Sequence, residues 1–226
     1  MKENNYPIEI EIDDTLTDSF KVIASAVPFF GAPVIELMNM LVIPKLQQRR
    51  DSWLQELGER VKKLEEEGKI NYEKLQKDDV FIDIAMKVTE VAIKTHQKEK
   101  LDALRNALIN TSLNYPSIDI SLKQIFINYI DIFTVWHIKL LGLFNNPKIY
   151  EQQFQHIYSS SLIEIIEGVY PKLKGKSDLY KSICKDLYSK DLINTESISA
   201  MMTKDGLFVR RTTNIGLLFL QFIKEN

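Results

Sequence analysis

The sequence is poor in the residues that build most catalytic and metal centres. Its 226 residues include one cysteine and three histidines. A lone cysteine excludes an internal disulfide framework and a cysteine-based zinc site, and it favours a reducing compartment. The first twenty residues carry six acids and one lysine, so they lack the basic start of a secretory signal. We therefore expect a cytoplasmic protein.

Turn-forming residues and an excess of positive charge are also scarce. The chain has 8 glycines and 7 prolines, which predicts few turns and long helices. Lys plus Arg is 29 and Asp plus Glu is 31, giving a formal net charge of −2. This near-neutral total argues against a dedicated polyanion-binding protein. With 45% hydrophobic and 27% charged residues, the composition is that of a packed globular chain.

The sequence signatures of common enzyme sites are missing. It contains neither a glycine-rich phosphate loop nor a G-x-S-x-G elbow. His96, His137 and His156 lack the spacings typical of helical metal ligands. The acid pairs 13–14 and 78–79 each precede a predicted helix, where N-capping explains them. We expect no enzyme activity, cofactor, metal or small-molecule substrate.

Hydrophobic periodicity predicts a mainly α protein built as a multi-helix bundle. A helix beginning near Pro33 is expected to kink at Pro44 and to end before Gly68. Within it, an apolar stripe recurs at 3–4–3 spacing: Leu54, Leu57, Val61 and Leu64. Further helices are predicted at about 14–27, 78–96, 98–113, 117–144, 148–158, 160–173, 177–189 and 214–223.

The C-terminal fifty residues predict a small β-hairpin. Residues 197–203 and 207–212 are compatible with strands, and between them lies Lys204-Asp205-Gly206, in which Asp-Gly is a turn signal. A helix precedes this hairpin and a helix follows it, an order typical of a winged-helix module.

Three segments follow from these patterns. Alternating apolar and acidic residues at 7–13 predict an extended arm or short strand over residues 1–13. Residues 14–173 are expected to form the helical bundle. Residues 174–226 are expected to form the winged-helix-like segment and to pack on that bundle.

A buried polar network is predicted inside the bundle. The most apolar helix carries His137 on its inner face, and a polar partner is expected there rather than a ligand or substrate. Glu99 or Lys100 would meet His137 or Asp131 across two packed helices, and Arg105 would act in the same way. Replacing His137 should therefore change stability more than any surface substitution.

Cys184 offers two interpretations. The neighbouring lysines Lys181 and Lys185 would lower its pKa if they faced the thiol. A half-buried, unreactive thiol on a helix is the commoner arrangement, and it is the one we expect.

Three functions fit the sequence. The first is a non-enzymatic protein-interaction module, with the Leu54–Leu64 stripe or the 7–13 arm as the surface for a protein partner or a second copy. The second is DNA binding through the C-terminal segment, where Lys204, Arg210 and Arg211 would contact phosphates. The third is a membrane-associated effector acting through the apolar residues 22–43. We expect this last function least, because Glu36 interrupts that stretch.

Three stretches carry a resemblance to a known group. They are His96-Gln-Lys-Glu-Lys-Leu-Asp-Ala-Leu-Arg-Asn-Ala-Leu108, Trp136-His-Ile-Lys-Leu-Leu141 and the ending Thr212 to Ile223. Together they resemble uncharacterised, mainly helical bacterial proteins, some of them similar to the abortive-infection alpha type linked with phage defence. Group endings usually read Thr-x-Leu-Gly, where this chain has Thr213-Asn-Ile-Gly216. The resemblance implies a cytoplasmic bacterial helical protein, with a role in defence or stress and no catalytic residues to carry over.

Overall fold

The computed structural model describes residues 38–225 and confirms a mainly helical, bundle-like chain. The chain divides into two compact units, Met1–Ser52 and Trp53–Asn226. The predicted segments 1–13, 14–173 and 174–226 follow a different division and stay predictions. The arm at 1–13, the helix at 14–27 and residues 22–37 of the apolar stretch lie outside the described residues.

The described helices follow one another with short connections. A π-helical turn, Met38–Val42, comes first, and two 3₁₀ turns lie at Pro147–Phe154 and Pro171–Leu173. The α-helices are α1 (Ile43–Glu66), α2 (Tyr72–Leu75), α3 (Asp79–Lys94), α4 (Lys98–Ser112), α5 (Ile120–Ile132), α6 (Val135–Asn145), α7 (Leu162–Val169), α8 (Ser177–Ser189), α9 (Lys204–Leu207) and α10 (Asn214–Ile223).

The helix ends follow the capping signals of the sequence. Gly68 takes the left-handed conformation after α1, with φ of 69°, and its amide donates to the Glu65 carbonyl at 2.8 Å. Asp78 caps α3, since its carboxylate accepts from the amide of Phe81 at 3.1 Å.

The core of the second unit lies where α4, α5, α6 and α10 meet. α4 packs against α3, α5 and α10, and α6 packs against α8 and α10. Aromatic side chains fill the centre: Phe126 contacts Phe219 edge to face, with ring centroids 5.2 Å apart, and Phe222 at 5.8 Å. This packing fixes the helix ends around which the polar residues gather.

The single helix predicted over 117–144 is wrong. Two helices, α5 and α6, replace it, with a bend of 119° between them. The backbone leaves the helical conformation at Phe133 and Thr134. The apolar stripe runs through this break, because both helices bury their apolar sides in the same core, and so the periodicity does not reveal the corner.

The small antiparallel pair is present, but its strands are not those of the predicted hairpin. β2 (Met202–Thr203) pairs with β1 (Ser159–Ser160), and Ser159 lies opposite Thr203. Lys204, Asp205 and Gly206 belong to the helical turn α9, which Thr203 caps by accepting from the Gly206 amide at 3.3 Å. The predicted hairpin is therefore wrong, and the winged-helix arrangement is not confirmed.

Candidate functional site

The side chain of Lys100 binds the C-terminal end of α5 and not a ligand. This side chain is buried between α4 and α5, and Nζ donates to the backbone carbonyl of Asp131 at 2.7 Å. A cation at a helix C-terminus satisfies a carbonyl that has no partner within the helix. Burial lowers the pKa of Lys100, and the nearby Asp131 carboxylate opposes that shift. Lys100 and Asp131 are thus brought together as predicted, but through the Asp131 backbone.

His137 secures the corner between α5 and α6. Its Nδ1 accepts a hydrogen bond from the backbone N–H of Thr134 at 3.1 Å, and its ring stacks on Phe133 with centroids 4.6 Å apart. Its Nε2 faces a carboxylate oxygen of Asp186, on α8, at 3.4 Å. Because Nδ1 must accept, the neutral ring carries its proton on Nε2 and directs it toward Asp186.

Burial lowers the pKa of His137, and Asp186 only partly opposes the shift. Below its unfolded pKa, roughly 6.5, the unfolded chain therefore binds more protons at this position than the folded chain does. The contribution of His137 to stability is full above that pH and falls as the pH drops toward the folded pKa.

We predict that His137→Leu lowers the free energy of unfolding by about 1–2 kcal/mol, because the amide of Thr134 loses its acceptor. The wild type should also lose more stability than the variant when the pH falls from 7.5 to 5.5. Urea unfolding at both pH values measures each effect. The control His156→Leu changes an exposed histidine and should alter stability by less than about 0.5 kcal/mol. Equal stability of wild type and His137→Leu at both pH values would contradict this account.

The other two predicted network residues lie apart from this corner. Glu99 pairs at the surface with Lys139 at 3.2 Å. Arg105 pairs with Glu56 and with Asp102, the latter at 2.7 Å, and its guanidinium lies 6.0 Å from the ring centroid of Trp53. The structure therefore brings together Lys100, Asp131 and His137 around the C-terminal end of α5, and it places Arg105 beside α1.

The predicted phosphate contacts are divided between surface and core. Arg210 is exposed and Lys204 is half-buried at the start of α9. Arg211 is 8% exposed, and its guanidinium donates to the carbonyls of Gly206 at 2.6 Å and Val209 at 2.7 Å. Among the described residues no carboxylate pairs with Arg211, and burial lowers its pKa. Its donors are occupied by backbone oxygens and do not face solvent.

Cys184 lies on the side of α8 that faces the protein core. The side chain is 1% exposed, and burial raises the pKa of the thiol to about 12. Lys181 and Lys185 point to solvent on the same helix and do not lower that pKa.

We predict that Cys184 resists a thiol reagent such as 5,5′-dithiobis(2-nitrobenzoate) in the native protein at pH 8. The thiolate is the reactive form, so a buried thiol with a raised pKa should react at least about 100-fold more slowly than the same thiol in guanidinium chloride. The absorbance of the released thiolate gives both rates. A native rate equal to the unfolded rate would show that this side of α8 is open.

One groove in the second unit combines many charged side chains. It encloses about 470 Å³ between the C-terminal half of α1, α4 and the end of the chain. Its lining consists of four acids, four bases and one apolar residue: Glu56, Glu59, Arg60, Lys63, Leu64, Glu67, Lys69, Arg105 and Glu225. We call this site the α1 groove.

Every base of the α1 groove has a carboxylate partner. Arg60 pairs with Glu225 and Arg105 with Glu56, while Lys63 and Lys69 approach Glu67 at 3.9 and 2.8 Å. Lys69 also holds the pKa of the Glu67 carboxyl below its usual range. The lining includes neither a nucleophile nor a histidine, so these side chains can exchange ion pairs with a bound partner but do not form an acid–base pair for catalysis.

The predicted apolar stripe of α1 is divided between core and surface. Leu57 packs against the core beside Trp53, which is buried and donates to the Thr89 hydroxyl at 3.2 Å. Leu64 lines the α1 groove, and Leu54 remains 37% exposed. The stripe therefore anchors α1 and supplies the apolar part of the groove.

Two polar residues were missed by the sequence analysis. Asn110, on α4, donates from its side-chain amide to the carbonyls of Gln221, Phe222 and Lys224 at the end of α10. Asp186, on α8, faces His137. No nearby sequence pattern indicates the role of either residue, because the partners of Asn110 and of Asp186 lie more than forty residues away in the chain. Within residues 38–225, no three His, Cys, Asp or Glu side chains are placed to hold a metal ion.

The chain matches no family model, and comparisons with curated proteins and with solved structures find no match to either. In the described part of the chain, no single helix has the length and apolar character needed to cross a membrane, although α5 and α6 together meet that criterion as a sharply bent pair.

Proposed function

We propose that this chain is a non-enzymatic protein-interaction module and that the α1 groove is its partner surface. The observation that supports this is the lining: eight of its nine residues are charged, four of each sign. Pockets for small molecules are lined mainly by apolar and aromatic side chains. A lining of balanced charges suits a polypeptide segment that carries charges of both signs.

The internal ion pairs of the groove explain how such a partner would bind. Exposed ion pairs contribute little to stability, so opening Arg60–Glu225 or Lys63–Glu67 disturbs the fold little. A partner carboxylate could replace Glu225 at Arg60, and a partner lysine could meet Glu59. Charge complementarity of this kind sets specificity and association rate more than affinity. A cytoplasmic bacterial protein with a role in phage defence or stress, as the resemblance implies, is part of the same proposal.

Photocrosslinking in the cells that produce the protein tests this proposal. A photoreactive amino acid replaces Glu59, in the groove, or Glu164, which is exposed on α7 and outside it. We expect irradiation to give adducts of defined mass at position 59, with another protein or with a second copy, and none of these at position 164. No adduct at position 59, or the same adducts at both positions, would refute the groove as the partner surface.

The other two functions receive less support. DNA binding through the predicted phosphate contacts of the C-terminal segment would rest on Lys204 and Arg210, because Arg211 is directed into the protein. Gel retardation at low salt tests it, and unretarded duplexes would exclude it. Membrane association through residues 22–43 stays a prediction, since residues 22–37 lie outside the described part. Liposome flotation tests it, and protein that does not float would exclude it.

A further inference from the structure

A concentration of positive charge lies away from the α1 groove, in residues 172–185, which lead into α8 and include its first turns. Five lysines occur within fourteen residues, Lys172, Lys174, Lys176, Lys181 and Lys185, against one acid, Asp178. The segment therefore carries 5 − 1 = +4, whereas the whole chain carries −2. All five lysines are exposed. We call them the lysine cluster.

The lysines of this cluster are free of internal partners. In the described part of the chain, none of the five forms an ion pair or a side-chain hydrogen bond, whereas Lys62, Lys63, Lys69, Lys94 and Lys139 each have a carboxylate within 4.0 Å. The nearby acids have other contacts: Asp178 accepts from Ser177, Glu167 from the Tyr180 hydroxyl, and Asp186 faces His137. The positive charge is therefore not neutralised by short-range pairing.

The backbone that carries the cluster is held in place. Leu173 and Tyr180 are buried on either side of the connection, at 0% and 1% exposure. The amide of Lys174 donates to the Pro171 carbonyl at 3.1 Å, and the amide of Lys176 donates to that of Leu173 at 2.9 Å. Ordering the cluster on binding therefore requires little loss of backbone freedom.

We propose that the lysine cluster binds the phosphate backbone of nucleic acid without sequence preference. Contacts between lysines and phosphates alone supply this kind of binding. A membrane is disfavoured because the apolar side of α8, with Ile183, Cys184 and Leu187, is buried in the core and cannot enter a lipid surface. A protein partner is disfavoured because Tyr180, the only aromatic residue between Lys172 and Lys185, is 1% exposed and cannot serve as an anchor. This surface differs from the predicted one at Lys204, Arg210 and Arg211.

Fluorescence anisotropy with a labelled 30-base-pair duplex of random sequence tests the proposal on the full chain. Five phosphate contacts predict that the logarithm of the binding constant falls with the logarithm of salt concentration with a slope of about −4.5. The triple variant Lys172→Gln/Lys174→Gln/Lys176→Gln should bind at least about ten-fold more weakly at 50 mM salt, with a slope closer to zero by about 2–3.

The control variant Lys62→Gln/Lys94→Gln/Lys98→Gln removes the same charge from α1, α3 and α4. It should bind within about two-fold of the wild type, and thermal unfolding should show all three proteins folded. Equal losses in both triple variants would overturn the proposal, as would absent duplex binding at 50 mM salt. Wild-type binding to vesicles with 30% phosphatidylserine, but not to the duplex, would also overturn it and assign the cluster to membranes.

Discussion

Gly216→Ala is expected to destabilise the protein by about 3 kcal/mol or more, among the largest effects of any single substitution in the second unit. A Cβ at this position would lie 2.2 Å from the carbonyl oxygen of Leu192 and 2.8 Å from Cγ2 of Thr212. The first of these neighbours is backbone, and the same carbonyl accepts from the Thr213 amide at 3.1 Å. It cannot move without breaking the contact that fixes the start of α10.

Gly142→Ala is the matched control for this substitution. Gly142 lies within α6, is exposed, and has nothing within 4 Å of its Cβ position. Alanine there should leave stability unchanged or raise it by about 0.5–1 kcal/mol, because glycine loses more backbone freedom on folding. Urea unfolding of the two variants measures the difference. Similar stabilities for Gly216→Ala and Gly142→Ala would show that α10 does not approach Leu192 as closely as described.

Arg211→Met is the second substitution with a large expected effect, about 2–3 kcal/mol of destabilisation. Methionine retains an apolar stem of similar length but removes every donor. The carbonyls of Gly206, Leu207 and Val209 then lose the hydrogen bonds that the guanidinium donates to them. These bonds connect the turn α9 to the segment that leads into α10, so their loss should loosen both.

Arg210→Met provides the comparison, because Arg210 is the exposed neighbour of Arg211. Its replacement should change the free energy of unfolding by less than about 0.5 kcal/mol. The two variants carry the same change in charge and differ only in the direction of the side chain. Equal effects of the two substitutions on stability would contradict the buried position of Arg211. Equal effects on DNA binding, with stability unchanged in both, would restore the phosphate-contact interpretation.

Helix bounds were most predictable where caps and periodicity agree. The helices at 177–189 and 214–223 have the predicted bounds. Thr213 explains the second of these, since its hydroxyl accepts from the Gly216 amide at 3.0 Å. Asp78 and Gly68 mark helix ends in the same way. In each case a local residue type determines a local backbone conformation.

The wrong predictions of the 117–144 helix and of the hairpin arose where one local sequence pattern is compatible with two structures. Thr134 precedes His137 by three residues, the spacing of a capping box, but a histidine in the place of the usual Glu or Gln conceals it. Asp205-Gly206 is a frequent hairpin turn, yet here it lies in a helical turn that Thr203 caps. Tertiary contacts, namely the pairing of β2 with β1 and the packing of α6 on α8, decide between the alternatives.

The candidate site was predictable in its residue types and less so in its partners. Lys100, Asp131 and His137 lie near the corner between α5 and α6, in line with the predicted meeting of these polar residues across two packed helices. The sequence does not show that Lys100 contacts a backbone carbonyl or that Asp186, 49 residues away, faces His137. The α1 groove depends on contacts between α1 and a glutamate near the end of the chain, a separation of 165 residues that no local pattern encodes.

The most direct measurement of the proposed function is the yield of photocrosslinked adduct from position 59 in Lys63→Glu and Lys62→Glu. These neighbouring lysines each have an i,i+4 carboxylate partner, at 3.9 and 4.0 Å, and similar exposure, but only Lys63 lines the α1 groove. We predict that Lys63→Glu loses most of the adduct while Lys62→Glu retains it, at equal stability. Unchanged yield in Lys63→Glu, or equal loss in both variants, would contradict a partner bound in the groove.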